Sequence, residues 1–172
     1  MRFALITLLL LGCGINSHFT PLADAARAGD LATIRTLIQQ GADPNEAAGQ
    51  NNWSPLLHAI HKGQIQSVNA LLDGGADING ISGDGITPLM MAAGYGYTDI
   101  VELLLRRGAN PHIAGPDGIR ALDLAVAGVP DIDRFTLFRC QDDTVRALRT
   151  ADPSLSVSPR AMMWARAKRC RV

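Results

Sequence analysis

One seven-residue pattern returns at a fixed register and constrains this chain more than any bulk property. It reads Thr20-Pro21-Leu22-Ala23-Asp24-Ala25-Ala26, then Ser54-Pro55-Leu56-Leu57-His58-Ala59-Ile60, then Thr87-Pro88-Leu89-Met90-Met91-Ala92-Ala93. The prolines are 34 and 33 residues apart. Each is followed 8 residues later by a glycine (Gly29, Gly63, Gly96) and 20 later by Gly-Ala-Asp or Gly-Ala-Asn, at Gly41, Gly75 and Gly108. Self-similarity at such a period means a stacked array, in which each unit has an apolar face that its neighbour buries.

The residues at each register position have a local reason to be there. Thr or Ser accepts a backbone N–H and caps a helix. Proline fits the first helical position, where its missing N–H costs nothing. Leu89 and Ala92-Ala93 form the packed face of a short inner helix, which Gly96 ends. Ile100, Val101, Leu104 and Leu105 recur at helical spacing and predict an outer helix. Gly108 stands where a helix end needs a left-handed residue. Asp84-Gly85 and Asp117-Gly118 predict hairpin tips between repeats.

This pattern resembles the ankyrin repeat from residue 20 to about 128. The resemblance implies an all-α ankyrin-repeat solenoid, made of helix-turn-helix repeats with β-hairpin tips and a helical C-terminal cap. The repeats fall at 20–53, 54–86 and 87–119, with a partial fourth from 120 at Arg120-Ala121-Leu122 and Ala125-Val126. The register then fails: Gly128 comes one residue early and Pro130 follows. Residues 131–139 are expected as the degenerate outer helix, with Ile132, Phe135 and Phe138 inward. Two further helices are expected at 142–150 and 159–169, within a cap spanning 129–172.

The first residues have a separate logic. Met1-Arg2 supplies one positive charge, and residues 3–11 are apolar except for Thr7. So short a run cannot cross a bilayer, which takes about 20 residues, but it matches the apolar core of a secretory signal. It ends in Leu10-Leu11-Gly12-Cys13, which resembles the bacterial lipobox. That resemblance implies acylation of the Cys13 thiol and cleavage before it, giving a signal peptide at 1–12 and a tether at 13–19. Gly14 stands where Asp would mark inner-membrane retention, so the resemblance implies the outer membrane. The signal is short for that class. A buried N-terminal helix and an ordinary signal with an incidental cysteine are the alternatives. Export would place the chain in an oxidising compartment. With Cys13 lipidated, Cys140 and Cys170 are left to pair or to remain as free buried thiols.

Composition narrows the function classes. A chain with 47% hydrophobic and 19% charged residues is not disordered. Zero net charge and 5% aromatics give no reason to expect nucleic acid. The charge is uneven, though. Residues 20–133 hold 13 acidic and 6 basic side chains, whereas residues 134–172 hold 3 and 9. The basic tail is open to two readings: it docks on the acidic body, or it binds a partner. Of the four histidines (His18, His58, His61, His112) only His58 and His61 share a helix, and no carboxylate joins them there. No phosphate loop, Gly-x-Ser-x-Gly or His-Glu-x-x-His occurs. Asp77, Asp84, Asp99 and Asp123 recur at family positions as turn and cap residues. No catalytic group, metal or cofactor is expected.

What remains is a surface. In ankyrin proteins the partner meets the hairpin tips and the exposed side of the inner helices. Carried over by register, the tips bear Gln50, Asn51 and Trp53; Asp84 and Ile86; Asp117 and Ile119. The inner helices bear Arg27, then His61 and Lys62, then Gly94 and Tyr95. Arg27, Trp53, His61, Lys62, Asp84 and Tyr95 are therefore the candidate partner-binding residues. Trp53 and Tyr95 are the natural anchors, because aromatic residues dominate interface hot spots. The competing readings are a lid over the adjacent repeat for Trp53 and packing against the next tip for Tyr95 and Tyr97. The expected function is a non-catalytic protein-binding module in the bacterial envelope, facing the periplasm and anchored through lipid at Cys13. Narrower alternatives are an immunity protein that sterically neutralises a secreted toxin, and an accessory to a periplasmic enzyme.

Overall fold

A computed structural model describes residues 19–49, 51–127, 140–167 and 170. Among these lie α1 (Pro21–Ala28), α2 (Leu31–Gln39), α3 (Pro55–His61), α4 (Ile65–Asp73), α5 (Pro88–Tyr95), α6 (Thr98–Arg106), α7 (Ala121–Ala127), α8 (Asp142–Ala151) and α9 (Pro159–Ala167). The inner helices begin as the capping chemistry requires. The hydroxyls of Thr20, Ser54 and Thr87 accept from the N–H groups of Ala23, Leu57 and Met90 at 3.2, 3.4 and 3.2 Å. Gly96 ends α5 at φ 71°, a left-handed conformation that glycine adopts without steric cost.

The helices stack in two rows. α1, α3, α5, α7 and α9 form the inner row, and α2, α4, α6 and α8 the outer one. Between the rows runs a continuous core that includes Ile34, Leu56, Ile60, Leu71, Leu89, Ile100, Leu104, Leu122 and Leu148, each 0–1% exposed. Burying one such side chain is worth about 1.5–3 kcal/mol. Ala59, Ala92, Ala93 and Ala125 are fully buried, so the inner helices approach one another closely.

The fourth repeat departs from the sequence reading. In each regular repeat the residue before the outer helix donates its N–H to an inner-helix alanine: Asp30 to Ala25, Gln64 to Ala59 and Tyr97 to Ala92, at 2.9–3.0 Å. Gln141 makes the same bond to Ala125 at 3.0 Å. α8 then packs on α6 and α7, and the Thr98 and Thr144 hydroxyls meet at 2.8 Å. The outer helix of the fourth repeat is thus α8, expected from the sequence as a further helix of the cap. Residues 131–139, expected in that place, lie outside the described residues. An insertion after α7 separates two halves that still dock as a repeat, because the contact surface is carried by the helices and not by the length of the link.

The tips are closed turns, and among the described residues none contains a named strand. Ala48 and Trp53 exchange both backbone hydrogen bonds, at 2.8 and 3.1 Å, in an isolated bridge. Ser82 N–H donates to the Ile86 carbonyl at 3.1 Å, and Gly115 N–H to that of Ile119 at 2.8 Å. One such bond or pair closes each turn, and the described tips carry an isolated bridge but no ladder.

The basic tail docks on the body, and it does so mainly by packing. Val145, Leu148, Leu155, Ala161 and Ala165 are buried. Asp123, itself buried, accepts from the Ser158 N–H at 2.6 Å. Among the described residues the ion pair that joins tail to body is His112–Asp152 at 2.7 Å, in which the tail supplies the acid. Hydrogen bonds from Ser154 hold the Asp152 carboxyl below its ordinary pKa. Cys140 and Cys170 are joined by a disulfide, with Cα atoms 5.7 Å apart.

Candidate functional site

Four elements line up an aromatic row across the first three repeats. Phe19 precedes the cap of α1, and Trp53 precedes the cap of α3. His58 and His61 lie on α3, Tyr95 ends α5, and Tyr97 follows it. The Phe19 and His58 rings meet edge-on at 5.1 Å. Trp53 lies 5.5 Å from His58 and 5.1 Å from His61. His61 meets Tyr95 edge-on at 5.5 Å, and Tyr95 stacks on Tyr97 at 5.6 Å. A hydrogen bond of 3.2 Å joins the Tyr95 hydroxyl to His61 Nδ1. The row is held by its own members, which leaves its rings little rotamer freedom.

The row is graded in exposure. His58 is buried at its base and faces the Ala48 carbonyl at 3.4 Å through Nε2. Burial holds the His58 imidazole below its ordinary pKa, and the charges of Arg27 and His61 push the same way. Phe19, Trp53, His61, Tyr95 and Tyr97 are half-buried. Trp53 packs against the core with its indole Nε1 buried and, among the described residues, without a hydrogen-bond partner. Trp53 therefore covers the repeat beneath and also presents an edge to solvent.

Among the expected binding residues, Trp53, His61 and Tyr95 come together in this row. Arg27 is exposed at its edge, with its guanidinium 5.2 Å from the Phe19 ring centre. Lys62 is half-buried at the end of α3, next to His61. Asp84 stands apart in the third repeat's tip, where its carboxylate accepts from the Ser82 hydroxyl and closes the turn. Ile86 packs against the core. Cys13, His18, Gln50 and the Asp117 side chain lie outside what is described. Phe19 was not anticipated, although its position had a signal: like Trp53, Ile86 and Ile119 it stands two residues before the first residue of an inner helix.

Elsewhere the described surface has grooves. One groove of about 550 Å³ runs between α6 and α8, lined by Thr98, Glu102, Arg106, Asp143, Arg146 and Thr150 among others. Among the described residues no group of three His, Cys, Asp or Glu side chains could hold a metal ion. No helix among them is long and apolar enough to cross a membrane.

Comparison with known proteins agrees with this architecture. The family model for ankyrin repeats (3 copies) matches residues 2–82, and that for the ankyrin repeat matches residues 84–116. The Caenorhabditis elegans protein named E3 ubiquitin-protein ligase hecd-1 is 33% identical over 163 residues. The similarity covers 86% of this chain but 6% of that protein, so the chain spans a small fraction of its relative's length.

Proposed function

Because the chain belongs to the ankyrin-repeat family, we propose that it is a capture module of the bacterial envelope, exported by its first residues, tethered at Cys13, and holding a protein partner along the aromatic row. Ankyrin repeats are protein-binding modules, and capture here needs no turnover. The row supports the reading: it offers Trp and Tyr surface, flanked by Arg27 and Lys62, in a composition typical of interface anchors. A secreted toxin or a periplasmic enzyme would be held by occlusion of its surface.

Capture from envelope extract tests the row. Tyr95→Ala with Lys62→Ala is expected to weaken binding at least roughly thirtyfold, the loss typical of a true hot spot. Glu102→Ala, on the outer row, should retain the partner. Because Tyr95 is bonded to His61, its truncation will also lower stability. Tyr95→Phe removes the hydroxyl alone and separates the two effects. If the outer-row change abolishes capture and the double change does not, binding lies on the outer row.

A second reading of the N-terminus has a specific observation in its favour. The ankyrin match begins at residue 2. Leu8, Leu9, Gly12, Ile15 and Asn16 repeat the spacing of Leu71, Leu72, Gly75, Ile78 and Asn79. On that reading these residues are the outer half of a preceding repeat, and Cys13 takes the place of Ala76. The intact mass of the protein from its native host distinguishes the two. A chain starting at an acylated Cys13, released from membranes by Cys13→Ser, supports export. Retention of residues 1–12 with no lipid supports the preceding repeat.

A further inference from the structure

Charge around the aromatic row is segregated by helix. Between residues 20 and 133 there are 13 acidic and 6 basic side chains. Of the basic ones, Arg106 and Arg107 belong to the outer row, where they pair with Glu102 and Asp73 at 3.6 and 2.8 Å. Arg27 and Lys62 belong to the inner row instead, and neither forms an ion pair among the described residues. α3 and α5 contain no acidic residue. Asp24 is the acid of α1, and Asp123 of α7 is buried and accepts from the N–H groups of Arg120 and Ser158. Counted from the prolines, Arg27 and His61 hold one register position, and Lys62 and Tyr95 the next. α1 packs on α3 and α3 on α5, so Arg27 borders the first half of the row and Lys62 the second. The Phe19 ring braces the Arg27 guanidinium from one side, a placement that leaves its N–H edge to present.

We propose that the partner held along this row presents a short acidic segment: its carboxylates meet Arg27 and Lys62, and an apolar or aromatic side chain beside them lies on Trp53 and Tyr95. The inference rests on the capture reading above and names the chemistry of what is captured. Guanidinium and carboxylate make a planar two-point match, and an ammonium adds a point charge. A basic segment would instead set like charges against each other, which costs affinity. The positive sign is felt inside the site. Burial is the main reason that His58 stays below its ordinary pKa; among the charges around it, Arg27 and His61, which oppose protonation, each act more strongly than Asp24, which favours it. The rest of the body favours a short protein segment over a nucleic acid. A long polyanion would run from the row onto a surface in which acids outnumber bases, whereas a short segment feels the local cations, since charge is screened over about 8 Å at physiological salt.

An array of short random-sequence peptides, probed with the labelled full chain, tests it. The retained peptides are expected to be richer in Asp and Glu than the array as a whole, with an aliphatic or aromatic residue close by. Their retention should fall as salt rises. Arg27→Gln with Lys62→Gln should weaken the best of them at least roughly fivefold and erase the acidic bias. Arg35→Gln with Arg106→Gln, on the outer helices, should leave both unchanged. The bias on the unaltered chain is read without any variant, so a folding failure in one of them does not remove the test. Retained peptides with no acidic bias, or no retained peptide at all, overturn the proposal. So does an oligonucleotide held as well as the acidic peptides and lost with the same two substitutions, since the cations would then select charge alone. The capture reading is decided separately: it stands if Tyr95→Ala alone still weakens capture from envelope extract, whatever the array shows, and fails if that change has no effect.

Discussion

Leu104→Ala is expected to lower stability by about 2–5 kcal/mol, the range for truncating a fully buried leucine, and the thermal midpoint by on the order of 5–20 °C for a chain of this size. Leu104 is 0% exposed in α6, which packs on α4, α5 and α8. In a solenoid, stability is close to a sum of repeat and nearest-neighbour terms. A cavity in the third repeat therefore weakens the interfaces on both its sides. Thermal denaturation followed by circular dichroism checks this, with two controls in the same helix. Leu105→Ala, half-buried, should cost less. Glu102→Ala removes an exposed 3.6 Å pair with Arg106 and should stay within about 0.5 kcal/mol. A Leu104→Ala midpoint no lower than that of Glu102→Ala would mean that the outer row is not packed as described.

Reduction of Cys140–Cys170 is expected to cost about 3–4 kcal/mol, the chain-entropy value for a loop of some 30 residues. The loss should be local. The disulfide follows the insertion after α7 and encloses α8 and α9, so the repeats from α1 to α7 keep their own contacts. Hydrogen exchange in the presence of reductant should show α8 and α9 opening first, with α3 and α5 still protected. Cys140→Ser with Cys170→Ser should reproduce the effect without reductant. Recovery of both thiols freely alkylated from native, unreduced protein would remove this bond from the account, and uniform loss of protection along the chain would contradict its locality.

The repeats were legible in the sequence because each signal is local. A hydroxyl capping an N–H three residues away, a proline at a first turn and a glycine at a helix end act over a few residues, so their spacing alone defines the helices from α1 to α6. Trp53, His61 and Tyr95 were legible as candidates because repeats at a near-constant period place the tips and the inner-helix ends on one side; their ring contacts were not, since the three stand at different register positions. The fold of the fourth repeat was not legible. The insertion after Ala127 destroys the register, and only the hydrogen bond from Gln141 to Ala125 and the contact of α8 with α6 identify the outer helix. Phe19 and His58 were missed as row members because their meeting joins the residue before one repeat to the helix of the next. Short-range signals in the chain set where most helices begin and end and which side chains recur. Tertiary structure decided which helix completes the stack, which rings touch and which surfaces are left outside, because those depend on contacts between residues far apart in the chain and no local spacing encodes them.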